Sequence, residues 1–284
     1  MNLVLDQMPA PGPLSLKAFG TLRRKPKPGV ALPRLSVSLE KSTFDAKNLA
    51  AYRAICGFAQ DNGTVPIPYP QVHAIHLQMH LLTQRQFPLP LIGLVHLKNR
   101  IVQERELRED EVFGVQVALV GDRVSDKGLE FDLQTTLTDA QGQQPWVAVA
   151  TVLHRGKKSS KKKGPAPAPD TRLGDYKQLD APEDIGRRYG RIAGDMNPIH
   201  LYPLTAKLLG FDRHIAHGMW SMARCASMLQ NSLGRAPSEL EVQFKLPLFL
   251  PARAAMRHGR EGDGYTFALL GRDGGKTHLT GRLR

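Results

Sequence analysis

Cysteine is scarce in this chain, whose 284 residues include only Cys56 and Cys225. A single pair of cysteines excludes a disulfide framework and a cysteine-based zinc site, and it favours a reducing compartment. No uninterrupted apolar run approaches about 18 residues, which excludes a membrane-spanning helix. The first residues also lack the charged, apolar and small-residue pattern of a signal peptide. We therefore expect a cytoplasmic protein that does not span a membrane.

Acidic residues are outnumbered by basic ones, and the formal net charge is +13 at pH 7. Five lysines lie between residues 157 and 163, and alternating prolines and alanines follow over 165–169. A nucleic-acid patch would use such lysines as phosphate contacts, but no aromatic residue lies between them to stack on bases. The composition is typical of a solvated, stiff linker between domains, which we expect at 156–170.

The linker divides the chain into two parts that repeat one order of elements. Residues 1–29 are rich in proline and lysine and predict an N-terminal extension, so the two units are expected at 30–155 and 171–284. Each unit is predicted to run helix, loop, helix and then several antiparallel strands. The helices are expected at 45–59, 72–83, 180–191, 203–209 and 217–229, and the strands at 91–97, 112–120, 129–139, 147–154, 240–246, 265–270 and 277–283. This order indicates an α+β fold in which each sheet wraps one central helix.

The densest group of reactive residue types lies at 189–200. Asp195 and His200 are five positions apart across a loop of glycine, asparagine and proline, which can turn both side chains towards one point. A carboxylate beside an imidazole can hold a water molecule and exchange its proton near neutral pH. Asn197 adds an amide that could orient either partner. The residues equally allow a plain Asx turn made by Asp195 and Asn197, with His200 uninvolved.

A second candidate site is the start of the long helix at 216–220. Gly218 would let a ligand approach the backbone, and the free amides of a helix N-terminus can hold a carbonyl oxygen that gains negative charge. A helix start with a glycine for packing is the alternative.

A third candidate is a set of three histidines, His73, His76 and His80, which would share one helical face. No acidic residue or cysteine accompanies them, and they alternate with Leu77 and Leu81. The pattern therefore favours a structural face, and we expect no metal site.

The segment at 194–200, Gly-Asp-Met-Asn-Pro-Ile-His, resembles the hydratase motif of the MaoC-like dehydratases, the R-specific enoyl-CoA hydratase family. The segments at 216–219 and 244–249 resemble the helix start and the strand that follow this motif, so the resemblance covers about 171–284. The first part resembles the degenerate repeat of two-repeat members: Asp61 and Asn62 stand where the motif should be, but no histidine follows at the right spacing. The resemblance implies a double hot-dog fold, in which two curved antiparallel sheets each wrap a long central helix, with 30–155 as a substrate-tunnel wall and 171–284 as the catalytic repeat.

The implied reaction is the reversible hydration of trans-2-enoyl thioesters to (R)-3-hydroxyacyl thioesters. By resemblance, the catalytic residues are Asp195, His200, Asn197 and Gly218, and the substrate-binding residues are His217, Met219, Tyr189 and Pro198. No cofactor is implied, since coenzyme A is part of the substrate. The expected partners are acyl-CoA or an acyl-carrier-protein thioester, and a homodimer of two double hot-dog chains is a possible assembly.

Two rival functions stay open from the residues. Hot-dog proteins also hydrolyse acyl thioesters, and a non-catalytic module could bind acyl thioesters or, through its lysines, nucleic acid. The intact pair of Asp195 and His200 favours the hydratase.

Overall fold

The computed structural model describes residues 1–26, 31–60, 63–156 and 174–284. The helices are α1 (Pro11–Gly20), α2 (Ala46–Cys56), α3 (Tyr69–His73), α4 (Ile75–Thr83), α5 (Ile185–Ala193), α6 (Pro203–Leu208) and α7 (Gly218–Leu233). The strands are β1 (Asn2–Leu5), β2 (Ser36–Thr43), β3 (Leu94–Gln103), β4 (Val112–Ser125), β5 (Gly128–Thr138), β6 (Trp146–Arg155), β7 (Asp175–Ala181), β8 (Glu239–Phe244), β9 (Ala252–Glu261), β10 (Gly264–Gly271) and β11 (Thr277–Leu283).

All of these strands belong to one sheet with the order β1-β2-β4-β5-β6-β3-β8-β11-β10-β9-β7. Apart from β1, which is added outside β2, the two halves have the same strand order: of β2–β6 and of β7–β11, the first strand lies outermost, the third, fourth and fifth follow, and the second lies innermost. The two innermost strands, β3 and β8, pair antiparallel from Lys98 opposite Gln243 to Val102 opposite Glu239. The α+β architecture of two repeated units is therefore confirmed, and the units join edge to edge, which leaves neither inner strand unpaired.

The central helix of each half packs on strands of the same half. α4 contacts β2 and β4, and α7 contacts β8, β10 and β11. One continuous hydrophobic core extends through both halves, from Leu35 to Leu283. Within the first half the predicted helix at 72–83 is interrupted at Ala74, which ends α3 and precedes α4.

The segment predicted as an N-terminal extension is folded onto the first half where it is described. β1 pairs in parallel with β2, and Leu14 of α1 is buried. The Arg24 guanidinium donates hydrogen bonds to the carbonyl oxygens of Leu82, Thr83, Gln84 and Leu89, so it caps the C-terminal end of α4.

Further elements differ from the sequence prediction. The helix expected at 180–191 begins only at Ile185, because residues 175–181 form β7 and pair with β9. β2 and β9 were not predicted. β9 is rich in alanine, which has low strand propensity, and it is held by pairing with β7 and β10 on its two sides.

The predicted linker at 156–170 lies, apart from Gly156, outside the described residues, as do Asp61 and Asn62. The domain boundaries therefore stay predictions. Among the helices in the described parts of the chain, none is long and apolar enough to cross a membrane.

Candidate active site

Two glycines of α5 form a smooth surface on which the loop at 195–200 lies. A Cβ at Gly186 would overlap the carbonyl oxygen of His200, and a Cβ at Gly190 would lie 2.7 Å from the carbonyl oxygen of Asp195. The two glycines are four positions apart, so they share one face of the helix. Any side chain here would push the loop outwards. Sequence reasoning missed both residues, although their helical spacing was the signal that could have found them.

Gly194 ends α5 in the left-handed conformation, with φ at +73°. Glycine adopts this conformation without the steric cost that a Cβ would bring. The position is also crowded, because a Cβ would lie 2.7 Å from Nε2 of His76 and 3.0 Å from Cγ2 of Ile75. Both of these side chains belong to α4 of the first half, which therefore touches the loop of the second half.

The loop itself is held by local hydrogen bonds. Oδ1 of Asp195 accepts from the Asn197 amide at 3.2 Å, and Oδ1 of Asn197 accepts from the Ile199 amide at 3.4 Å. Asn197 thus caps the 3-10 turn Pro198–His200. The Asx turns expected in the alternative interpretation are present, and they coexist with the clustering of Asp195 and His200. The hydrogen bond of the Asn197 side chain stabilises the loop.

Asp195, His200 and His217 form the centre of the site. One carboxylate oxygen and one nitrogen of each ring all lie within 4.8 Å of one another. The rings of His200 and His217 stack with centroids 3.7 Å apart and planes at 24°. Nε2 of His217 lies 3.0 Å from the carbonyl oxygen of Asp195 and 3.7 Å from its Oδ2. His217, predicted only as a substrate-binding residue, therefore contacts both members of the predicted pair.

The hydrogen bonds assign a tautomer to each ring. Nδ1 of His200 lies 2.8 Å from the carbonyl oxygen of Ile215, and this oxygen can only accept, so Nδ1 carries the proton and Nε2 keeps a lone pair. By the same reasoning, Nε2 of His217 donates its proton to the Asp195 carbonyl oxygen. The centre thus holds one carboxylate, one ring that can accept a proton at Nε2 and one ring that donates a proton from Nε2, a set that suits proton transfer.

Burial and mutual charge set the protonation states. Burial by itself would raise the pKa of the Asp195 carboxyl, but His217, His200 and the Asn197 amide outweigh it and hold this pKa below its ordinary value. Burial lowers the pKa of His200, and burial with the neighbouring His200 charge lowers the pKa of His217. At neutral pH the site holds a carboxylate beside two neutral imidazoles. The Asp195 side chain is still 43% exposed, so water reaches it.

The other predicted site residues surround this centre. Gly218 begins α7 directly after His217, and a Cβ there would lie 2.9 Å from the Phe244 ring. Its amide is one of the first of a helix, which have no partner within the helix. Tyr189 is buried with its ring 5.1 Å from that of His217.

Two further predicted residues lie at the edge of this group. Pro198 is half-buried, and its carbonyl oxygen accepts from Thr205 Oγ1 at 2.7 Å. Met219 is half-buried and packs on the core.

The three histidines of the first half do not act as one group. Nε2 of His73 lies 2.7 Å from Oγ of Ser42. The His76 ring instead packs against Gly194, where a Cβ would lie 2.7 Å from its Nε2. Within the described ranges, His73, His76 and His80 form no cluster at metal-binding distances. The break at Ala74 is one reason, since it interrupts the helical face that the spacing assumed.

The first half also holds the two helices on either side of the loop, α5 and α7, by hydrogen bonds. Nδ2 of Asn48, on α2, donates to the carbonyl oxygen of Ile192 at 2.9 Å, and Tyr69 donates to Oδ1 of Asn48 at 3.0 Å. Nε1 of Trp220 donates to the Ile55 carbonyl oxygen at 3.1 Å. No sequence motif marks Asn48, because its partner is 144 positions away.

Comparison with known proteins agrees with this geometry. Residues 158–271 match the family described as MaoC like domain. The chain is 35% identical over 266 residues to 3-hydroxyacyl-thioester dehydratase X of Mycobacterium tuberculosis (strain ATCC 25618 / H37Rv), covering 89% of this chain and 90% of that protein. The chain belongs to the MaoC-like dehydratases.

Solved structures of other MaoC-like dehydratases share its fold. The crystal structure of HtdX of Mycobacterium tuberculosis is 32% identical, with a TM-score of 0.75, covering 88% of this chain and 99% of that one. A MaoC-like dehydratase from Phytophthora capsici is 18% identical with a TM-score of 0.73, covering 89% and 94%. The double hot-dog prediction is thereby confirmed.

Proposed function

We propose that this MaoC-like dehydratase catalyses the reversible hydration of trans-2-enoyl thioesters to (R)-3-hydroxyacyl thioesters. The observation that carries the proposal is the pairing of an ionised Asp195 with a neutral His200 within 4.8 Å. Two atoms at this separation or less can both hydrogen-bond one water molecule at about 2.8 Å. The name of the Mycobacterium tuberculosis relative, a 3-hydroxyacyl-thioester dehydratase, supports the same reaction.

In hydration, Asp195 and Nε2 of His200 hold the water molecule over C3 of the substrate. As the water oxygen bonds to C3, His200 accepts a proton, and the electron pair of the C2–C3 double bond moves towards the thioester carbonyl. Protonated His200, stabilised by the Asp195 carboxylate, then delivers the proton to C2. Dehydration runs through the same steps in reverse.

The Gly218 amide is proposed to hold the thioester oxygen as it gains negative charge. A helix N-terminus presents free N–H groups and a favourable dipole for this purpose. Phe244 packs directly against Gly218, so a side chain there could not be accommodated without moving this ring.

His217 is proposed to position the other two groups. Its Nε2 proton fixes the Asp195 backbone, and its ring supports the face of the His200 ring. Tyr189, Met219 and Pro198 are proposed to shape the binding space around this centre. Asn197 is proposed to act through the loop that it caps.

The reaction as proposed needs no metal or redox cofactor, because the thioester itself makes C3 electrophilic. Dialysis against a chelator is then expected to leave the rate unchanged. Either coenzyme A or an acyl carrier protein could carry the acyl chain, and the positive net charge suits the phosphates of the one and the acidic surface of the other. A cytoplasmic location and a homodimer stay predictions from the sequence.

The direct test uses crotonyl-CoA with two simultaneous measurements. A hydratase removes the enoyl absorbance without releasing free thiol, whereas a thioesterase releases thiol. Loss of absorbance with thiol below background supports the proposal. Thiol release as fast as the loss of enoyl absorbance, or faster, would identify the protein as a thioesterase instead. Binding of crotonyl-CoA with neither change would indicate a non-catalytic module.

A further inference from the structure

The first half brings a histidine to the site that the proposed mechanism does not use. His96 lies on β3, the inner strand of the first half. Asp195, which belongs to the second half, is close enough for the two groups to interact by charge. The carboxylate acts to raise the pKa of His96, and His96 acts to lower the pKa of Asp195. The half that was predicted only as a tunnel wall thus presents a titratable ring to the reacting centre.

The backbone of β3 is irregular at this residue. The pairing of β3 with β6 shifts register between His96 and Lys98. A β-bulge of this kind turns a side chain away from the direction that regular pleating would give it, and bulges are common beside active sites. Two residues further along, Lys98 already pairs with Gln243 of β8, so His96 lies where the strands of the two halves meet.

His96 is separated from Gly218 by one aromatic ring. The rings of His96 and Phe244 lie with centroids 4.9 Å apart, and the same Phe244 ring packs on Gly218. His96 therefore lies one ring away from Gly218 and within electrostatic range of the Asp195 carboxylate. A thioester bound as proposed would place its C1 to C3 atoms between Asp195 and the Gly218 amide, on the side of the site to which His96 belongs.

The Nε2 atom of His96 is buried, and no described residue lies in hydrogen-bonding geometry with it, although the Lys98 backbone and the Asn99 side chain lie near enough to act on the ring. A buried polar atom without a partner is costly, and native proteins keep few of them without a functional reason. Burial lowers the pKa of His96 to about 4, so at neutral pH the ring is uncharged and can exchange a hydrogen bond with a ligand. The hydrogen bond missing in the protein is available to a substrate oxygen.

We propose that His96 is a substrate-binding residue, whose Nε2 hydrogen-bonds an oxygen atom in the C1 to C3 portion of the acyl thioester. This rests on the proposed function, because it assumes that an acyl thioester occupies the site. The two halves then share the work: the second supplies Asp195, His200 and Gly218, and the first supplies the hydrogen bond that holds the substrate against them. Two oxygens qualify, the thioester carbonyl and the 3-hydroxyl.

The test replaces His96 by phenylalanine, which keeps a ring against Phe244 and removes both nitrogens. His96→Gln is the second variant, since its amide can restore a hydrogen bond. His80→Gln is the matched control, because His80 is also a histidine of the first half but has no described contact with the site. Melting temperatures close to that of the wild type show that each variant is folded.

Binding is measured by calorimetry with two ligands, whose affinities can be determined without any catalytic turnover. Butyryl-CoA carries the thioester carbonyl and no hydroxyl, and (R)-3-hydroxybutyryl-CoA, bound to the Asp195→Asn background, carries both. We expect His96→Phe to weaken binding about tenfold, which corresponds to about 1.4 kcal/mol, with partial recovery in His96→Gln and no change in His80→Gln. Weakening with both ligands assigns the contact to the carbonyl, and weakening with the hydroxyacyl ligand alone assigns it to the hydroxyl.

Unchanged binding of both ligands in a folded His96→Phe variant overturns the inference. This outcome is distinct from failure of the proposed function, because hydration of crotonyl-CoA by the wild type is measured first. A wild type that hydrates crotonyl-CoA while His96→Phe binds normally would leave the reaction assigned and remove only His96. If His96→Phe does not fold, the same comparison is made with His96→Gln, whose binding must then fall measurably for the inference to stand.

Discussion

At the scale of single residues, the site depends on how two hydrogen bonds fix two histidine tautomers. The Ile215 carbonyl oxygen leaves His200 with a lone pair, and the Asp195 carbonyl oxygen leaves His217 as a donor. Two imidazoles stacked at 3.7 Å thus carry their protons on different ring nitrogens. This difference follows from backbone acceptors that no sequence motif identifies.

The variants Asp195→Asn and His200→Ala test the proposed pair. Each removes one of the two groups that hold the water molecule, so we expect hydration of crotonyl-CoA to fall by about 10²–10⁴-fold. Circular dichroism and melting temperature serve as controls for folding. A folded variant whose rate stays within a few-fold of the wild type would contradict the assignment of that residue.

The pH dependence follows from the same site. The proposed mechanism needs Asp195 ionised and His200 neutral, and both pKa values lie below their ordinary ranges. Activity is therefore expected to be constant through neutral pH and to fall only as the pH drops below about 6.5, the ordinary pKa of histidine. The measurement is kcat/KM for crotonyl-CoA from pH 4.5 to 9. An acid limb with a midpoint above pH 7 would show that His200 is not held neutral by its surroundings.

At the scale of elements, the face of α5 formed by Gly186 and Gly190 sets the path of the loop. Both glycines touch backbone atoms of the reactive residues themselves, so the helix serves as a template for the loop. Gly194, where the loop begins, lies against Ile75 and His76 of α4, and Asn48 ties the last turn of α5 to α2. The loop is thus confined between a helix of its own half and two of the other.

Replacing Gly190 by alanine tests this template. Its Cβ would meet the Asp195 carbonyl oxygen at 2.7 Å and force the loop outwards. We expect a fall in kcat/KM of up to about 10²-fold, since a displacement of about 1 Å at a reacting group has this effect. The matched control is Gly12→Ala in α1, where a Cβ meets nothing within 4 Å. Equal activity of the two variants would show that the loop tolerates the shift.

At the scale of the whole molecule, the two halves form one sheet and one core. β3 and β8 satisfy each other's backbone groups, and the α7 side chain of Trp220 donates to the end of α2. Separating the halves would expose an unpaired strand and the apolar faces of several helices. The second half carries the whole motif and still depends on the first for its environment.

Expression of residues 171–284 alone tests this dependence. The fragment would present β8 as a free edge and lose the contact of Asn48 with α5 and those of Ile75 and His76 with Gly194. We expect it to aggregate or to be inactive, because open edges and uncovered apolar surface promote association. Size-exclusion chromatography and the crotonyl-CoA assay are the measurements. A soluble, monomeric and fully active fragment would refute the shared site while leaving the roles of Asp195 and His200 intact.

The sequence by itself determined what is encoded within a few neighbouring residues. The motif at 194–200 predicted the loop, its Asx turns and the proximity of Asp195 and His200, because a short loop allows few conformations. The repeated order of helices and strands predicted two α+β units. Strands with clear alternation, such as β8, were found, whereas the alanine-rich β9 was missed because its stability comes from its two neighbours.

Only the tertiary structure decided which distant residues meet. Three residues of the first half lie near α5 and the loop although they precede it by about 100 residues or more: Asn48, His76 and His96. His217, which the sequence predicted as a substrate-binding residue, lies at the centre of the cluster. These contacts depend on how β3 pairs with β8 and how α2, α4 and α7 pack across the junction. Such pairing is selected by the burial of the whole apolar surface, a sum over both halves that no local pattern of residues contains.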